Sequence, residues 1–528
     1  MKNALDAISV QTLTENIKTL GSDAFEGRSP SSPGEEKTMN FLRQQFESLG
    51  FKPGNGTSFL QDVPLMEFTS QHDPAMRIRH GDETIELEYK EDLMAVTRRM
   101  QESVSIKNSE MVFAGYGIVA PEYNRNDYEH LDVRGKTVVV LVNDPGYATE
   151  DSSVFNGKAM TYYGRWTYKY EEAARQGAAG VIIVHETGPA GYPWDVVRNS
   201  WSGPQFYLEA EDQNMSRCAV EGWITRDTAE RLFQAAGLNF ADQKRAALEP
   251  DFKPVDLHMA ASYGIRNRIE NSMSHNFLAV LPGSERPDEY VVYMAHWDHF
   301  GKDTTREGDQ IYNGARDNAT GVAGLLEIAR AYKALPEPPE RSILLLAVTA
   351  EERGLLGSKY YASHPVYPLN KTVAAINMDA LNIWGPTNDV TVVGYGNSEL
   401  DDYVEATAQE QGRAVRPDPE PEKGGYYRSD HFSFARVGVP ALAAEHGVES
   451  AEHGEEWMRR QMDEWVEQHY HKPSDEYDPE TWDLSGAVQD IRLLFRIGYR
   501  LSTEDTFPNW REGTEFRALR DEQMANAG

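Results

Sequence analysis

Cysteine is almost missing from this 528-residue sequence. Cys218 stands alone, so no intramolecular disulfide can form and no thiolate cluster can hold a metal. Any metal site must therefore be built from His, Asp and Glu. Long apolar runs are missing too. No stretch approaches the roughly 18–20 apolar residues that a membrane span requires. The opening MKNALDAISVQTLTENI has no apolar core of the kind an export signal carries. Positive charge is in the minority, with 52 Lys and Arg against 84 Asp and Glu, for a net charge of −32. That balance argues against nucleic acid and anionic membrane surfaces as partners. It fits a solvated acidic exterior.

What is present is the patterning of a soluble globular chain, long enough for two or three domains. Leu13, Ile17 and Leu20 fall at helical spacing, and so do Met39, Leu42, Phe46 and Leu49 in a segment that stops at Gly50. A loop rich in Gly, Ser and Pro separates them. From about residue 105 to 258 the texture changes. KTVVVLV (Lys136 to Val142) reads as a buried strand, YKYEEAARQGA as a helix and GVIIV (Gly180 to Val184) as a second strand, which makes a βαβ-like unit. The aromatic run TYYGRWTYKY precedes that helix. From about residue 274 the chain alternates strands (NFLAVL, YVVYMA, SILLLAV, TVAAINM, DVTVV) with helices, among them Gly321 to Leu335 and a closing helix at SGAVQDIRLLFRIGYRLS. This alternation predicts a doubly wound α/β sheet flanked by helices, with its functional loops at the carboxyl ends of the strands.

The chemistry-bearing residues fall at those ends. AHWDHFG follows strand YVVYMA and places His296, Asp298 and His299 there. TAEERG ends SILLLAV with Glu351 and Glu352, NMDA ends TVAAINM with Asp379, and ARDNATG puts Asp317 and Asn318 at the start of a helix. Taken singly, these features are ordinary: a His-x-Asp in a loop, a solvated Glu pair, an Asp helix cap. Together they bring carboxylates and imidazole to one edge of one sheet. Like charges so gathered raise one another's pKa, and a divalent cation is the economical compensation. Zinc accepts this donor set, and two ions about 3.5–4 Å apart, bridged by one carboxylate, would use all four carboxylates.

In AHWDHFG, NGARDNATGVAGLLEIAR, TAEERGLLGS, NMDAL, SDHFSF and YHKPSDEYD, in that order, the sequence resembles the di-zinc peptidases of family twenty-eight. These include bacterial leucine aminopeptidases, aminopeptidase Y and glutamate carboxypeptidase. The likeness covers most of residues 274–500, and the opening LGSDAFEGRSPSSPGEEKTMNFL shares it. It implies a zinc exopeptidase fold with a mixed sheet. Residues 1–104 and 259–528 would form the peptidase, and 105–258 an inserted, smaller α/β or β-rich protease-associated domain acting as a lid. It further implies two zinc ions per chain held by His296, Asp317, Glu352, Asp379 and His471, with Asp317 bridging. Asp298 would orient His296, Glu351 would act as general base, and Tyr470 would donate to the tetrahedral oxyanion. A cis Asp317–Asn318 bond is also implied. The expected partner is a peptide substrate, and the expected location is periplasmic or secreted.

Several alternatives stay open in the sequence. His469 alternates with His471, and His431 is a further fallback ligand. His299 and His431 read as supporting residues, and Tyr426 and Tyr427 as either packing or pocket lining. An aminopeptidase is the favoured activity. A carboxypeptidase or dipeptidase would need a cation for the substrate's terminal carboxylate, and Arg316 and Arg428 lie in suitable motifs. A one-zinc glutaminyl cyclase or a non-catalytic receptor-like module fits the full donor set less well.

Overall fold

The computed structural model describes residues 1–525. They form two compact units: one from Met1–Pro64, Met273–Pro419 and the chain from Arg428 onward, the other from Leu65–Ser272 with Glu420–Tyr427.

In the first unit, a mixed sheet contains β1 (Val255–Leu281, from Met273 on), β2 (Arg286–His296), β3 (Arg341–Val348), β4 (Thr372–Asn377), β5 (Asp389–Val393), β6 (Ala414–Pro417) and β7 (Ala441–His446), with the short strand Lys52–Pro53 antiparallel on the outer side of β1. Their order is β1-β3-β2-β4-β7-β5-β6. β3, β2, β4 and β7 run parallel, while β1 and β5 are antiparallel to their neighbours β3 and β7. Every residue of β3 and β4 is buried, which explains their unbroken apolar runs: such strands are covered on both faces.

The two faces separate by alternation along the strands. Val291, Tyr293, Ala295, Ile343, Leu345 and Ala347 join one cluster, together with residues of α1 (Val10–Leu20), α2 (Pro33–Ser48), α3 (Thr320–Lys333) and α6 (Ser485–Thr503). Val292, Met294, Leu344, Leu346 and Val348 join another, with Tyr361 of α4 (Leu356–Ser363) and Phe434 of α5 (His431–Ala435). Helices thus cover both faces, as the doubly wound expectation required. Each fully buried Leu, Ile or Val in these clusters contributes about 1.5–3 kcal/mol. The helices start where the sequence caps them: Ser9 accepts from Thr12 N–H before α1, and Ser32 accepts from Gly34 N–H with Pro33 in the first helical position of α2.

The second unit contains the parallel strands Ser103–Phe113, Thr137–Leu141, Gly180–His185 and Val220–Thr225. The helix Trp166–Arg175 connects the middle pair, which is the βαβ element read from the sequence. This unit is wider than residues 105–258. Leu93–Val96 pairs with Val220–Thr225, Leu65–Phe68 with Gln205–Leu208, and Ala75–His80 with Ala260–Ser262, so backbone hydrogen bonds tie residues 65–104 and 259–272 into it. Residues 420–427 belong with it too: Met160 N–H donates to the Pro421 carbonyl at 3.2 Å, and Tyr427 Oη donates to the Met160 carbonyl at 3.1 Å. Tyr426 and Tyr427 are buried there.

Candidate metal centre

The edge of the first unit's sheet gathers the predicted residues. His296 closes β2, Glu351 and Glu352 follow β3, and Asp379 follows β4. These strands are parallel neighbours, so their carboxyl ends meet at one level. Asp317 lies just before α3, where Gly321 allows a close approach. A Cβ there would sit 2.4 Å from Asn318 Oδ1 and 2.5 Å from the Met378 carbonyl. The Asp317–Asn318 peptide bond is cis. Three non-glycine residues at these junctions, Ala350, Ala380 and His471, adopt left-handed φ values of 53°, 47° and 56°. Such conformations concentrate at functional sites.

The Asp317 carboxylate stands between two imidazoles. Its Oδ1 is 3.2 Å from His296 Nε2, and its Oδ2 is 3.3 Å from His471 Nε2. Each imidazole has a second carboxylate beside it: Asp379 Oδ1 at 3.3 Å from His296, and Glu352 Oε2 at 3.3 Å from His471. One ligand atom from each of His296, Asp317 and Glu352 fits within a single 4.8 Å cluster.

Buried partners aim these groups. His299 Nδ1 lies 2.6 Å from Glu352 Oε1, which gives His299 a definite supporting contact. Ser429 Oγ donates to Asp379 Oδ2 at 2.7 Å and accepts from Asn377 Nδ2 at 2.7 Å. His296 Nδ1 is 3.1 Å from the Asp298 carbonyl and 3.8 Å from its carboxylate, so the main chain is its nearer partner. Asp298 Oδ1 accepts the Glu351 N–H at 3.0 Å and thereby fixes the strand-end turn. Arg28 is fully buried and donates to the carbonyls of Leu20, Trp297, Asn313 and Gly314, pinning the loops that carry His296 and Asp317. Arg28 and Ser429 lie within the motifs read from the sequence, which assign them no role.

His469 Nδ1 is 2.8 Å from the Ser474 carbonyl, and His431 is buried in α5. Tyr470 is 44% exposed and stacks on His471 with ring centroids 3.7 Å apart. Arg316 is buried between the rings of Trp384 and Trp465, 4.4 and 4.2 Å from their centroids, and donates to the Leu381 carbonyl. Arg428 is exposed.

Electrostatics suit a cation. Burial pushes Glu351 well above the usual carboxylate range, and Glu352 and Asp379 add to the push while His296 opposes it. Burial likewise raises Glu352 to about 8, helped by Asp317. Asp317 behaves oppositely: burial disfavours its charge, but the contacts with His296 and His471 outweigh this and hold it well below 3.8. A set of two imidazoles and three carboxylates, with a further carboxylate beside it, is the hard and borderline nitrogen–oxygen donor set that zinc takes. A divalent cation would be the largest local charge and would relieve the crowding. The donor set therefore fits the metal.

The model of peptidase family M28 matches residues 276–495, the stretch that supplies every one of these donors. Over these residues the chain is similar to peptidase family M28. Aminopeptidase NAALADL1 of Mus musculus is 35% identical over 140 residues, covering 25% of this chain and 17% of that protein. Aminopeptidase YwaD of Bacillus subtilis is 26% identical over 212 residues, 39% of this chain and 40% of that protein. The chain thus matches less than half the length of these curated relatives. The solved aminopeptidase from Aneurinibacillus sp. strain AM-1 aligns over 96% of this chain and 97% of its own, with a TM-score of 0.52 and 19% identity, and shares the fold. The matched segment runs from the end of β1 into α6, so it spans the sheet edge and its helices. No described helix is long and apolar enough to cross a membrane.

Proposed function

We propose that the chain is a zinc-dependent exopeptidase that binds two metal ions and removes N-terminal residues from peptides. The observation that carries this reading is the placement of Asp317, one oxygen toward His296 and Asp379, the other toward His471 and Glu352. One ion would be held by His296, Asp379 and Asp317, the second by His471, Glu352 and Asp317. Bound zinc lowers the pKa of water and polarises a peptide carbonyl. Glu351, adjacent to Glu352 but not paired with either imidazole, takes the proton of the attacking water and returns it to the leaving amine. Its half-buried, carboxylate-lined position gives it the raised proton affinity that this work requires. Tyr470 Oη is the candidate donor to the tetrahedral oxygen.

The aminopeptidase reading draws on the names of the relatives and on Arg316. A carboxypeptidase needs a cation that meets the substrate's terminal carboxylate; of the two candidates, Arg316 is committed between two indoles, while Arg428 is exposed. We also read the second unit as the protease-associated insertion, and by resemblance place the protein outside the cytoplasm. A panel of aminoacyl-anilides against N-blocked peptides tests the activity. Turnover of the free-amino substrates alone supports it, and turnover of the blocked peptides alone contradicts it.

A further inference from the structure

Glu445 is the one exposed residue of β7; the other five are buried. β7 lies parallel beside β4, with Asn377 level with Ala443. Two residues further along each chain come Asp379 and Glu445, so both carboxylates leave the same edge of the sheet on adjacent strands. The Glu445 carboxylate makes no hydrogen bond or ion pair among the described residues. It is nevertheless desolvated: burial, then Asp379 and Asp418, raise its pKa to about 7, while Arg316 opposes them. The register of β7 beside β4 puts Glu445 next to the proposed metal centre, beside Asp379.

The charges around it select the sign of its ligand. Asp379 and Asp418 are acidic. The nearby cation, Arg316, is held by Trp384, Trp465 and the Leu381 carbonyl. His446, the next residue, is buried, 3.3 Å from Arg316, and kept neutral with its pKa pushed down to about 4 by burial and by Arg316. No neighbouring group neutralises Glu445 directly, so a cation arriving with the substrate would gain a charge-assisted contact.

We propose that Glu445 is a specificity-determining residue that receives the basic side chain of an N-terminal Lys or Arg. The proposal rests on the aminopeptidase reading. The α-ammonium of the same substrate is a rival cation for this carboxylate, and the experiment separates the two.

The test compares kcat/KM for Lys-, Arg- and Leu-anilides in the zinc-loaded wild type, Glu445→Gln and Glu445→Arg. We expect the wild type to prefer Lys and Arg. The Lys-to-Leu ratio should fall roughly ten-fold or more in Glu445→Gln, chiefly through KM, and further in Glu445→Arg, since loss of one charged contact has about that effect. An unchanged ratio in both variants overturns the proposal. An equal loss on Lys and Leu also overturns it and assigns the carboxylate to the α-ammonium. A wild type that hydrolyses no aminoacyl-anilide removes the aminopeptidase reading itself, a failure distinct from the other two.

Discussion

Asp475 clamps Asp317 by its backbone: Asp475 Oδ2 accepts the Asp317 N–H at 3.0 Å, and Oδ1 accepts the Arg316 N–H at 3.0 Å. The Asp475 carbonyl also accepts the Ala315 N–H at 3.0 Å. The turn that aims the bridging carboxylate is therefore held from the segment that follows His471. Asp475→Ala should weaken metal retention by about 10- to 100-fold, as loss of supporting groups around metal ligands does. Competition with a chelator measures it, and wild-type affinity in the variant would remove Asp475 from this role.

Glu351→Gln keeps the size of the side chain but cannot accept a proton. We expect turnover to fall by about 10²–10⁴-fold with metal content unchanged. Near-normal kcat would exclude Glu351 as the base, and loss of metal would make it a ligand instead.

Tyr470→Phe removes only the hydroxyl and leaves the ring on His471. If that hydroxyl donates to the tetrahedral oxygen, kcat falls by about 10²–10³-fold with KM little altered. An unaffected kcat would reduce Tyr470 to a packing partner of His471.

His275 gives a pH signature outside the metal centre. Its Nδ1 lies 2.7 Å from Glu35 Oε1, and its Nε2 is 3.5 Å from Asp62. The hydrogen bond to Glu35 raises its pKa above 6.5, against burial and with the charges of Glu35 and Asp62 assisting. A raised folded-state pKa contributes stability that is fully present below about 6.5, the unfolded value, and is lost as pH rises through the folded value. The difference in urea midpoint between wild type and His275→Gln should be largest near pH 6 and shrink toward pH 9. A difference that grows with pH would contradict the pairing.

The sequence showed the parts of the site that follow from local pattern. His296, Glu351, Glu352 and Asp379 could be placed because each ends a run that is apolar without interruption, and only strands buried on both faces read that way. Arg28 could not be placed, because its partners Trp297, Asn313 and Gly314 are more than 260 residues away and its own surroundings read as a Gly, Ser and Pro loop. Ser429 and Asp475 fall in the motifs SDHFSF and YHKPSDEYD, but their roles are not readable there, because each acts on a neighbour brought close only by the sheet or by the turn before α3. The boundary of the second unit was misplaced from texture because Leu65–Val96 and Ala260–Ser262 join it through strand pairing, which leaves no mark on composition.

The zinc content of active, purified protein tests the bridged centre most directly. Elemental analysis should give two zinc ions per chain, and Asp317→Ala should lose both. A firm value of one in the fully active wild type would contradict the two-ion arrangement around Asp317.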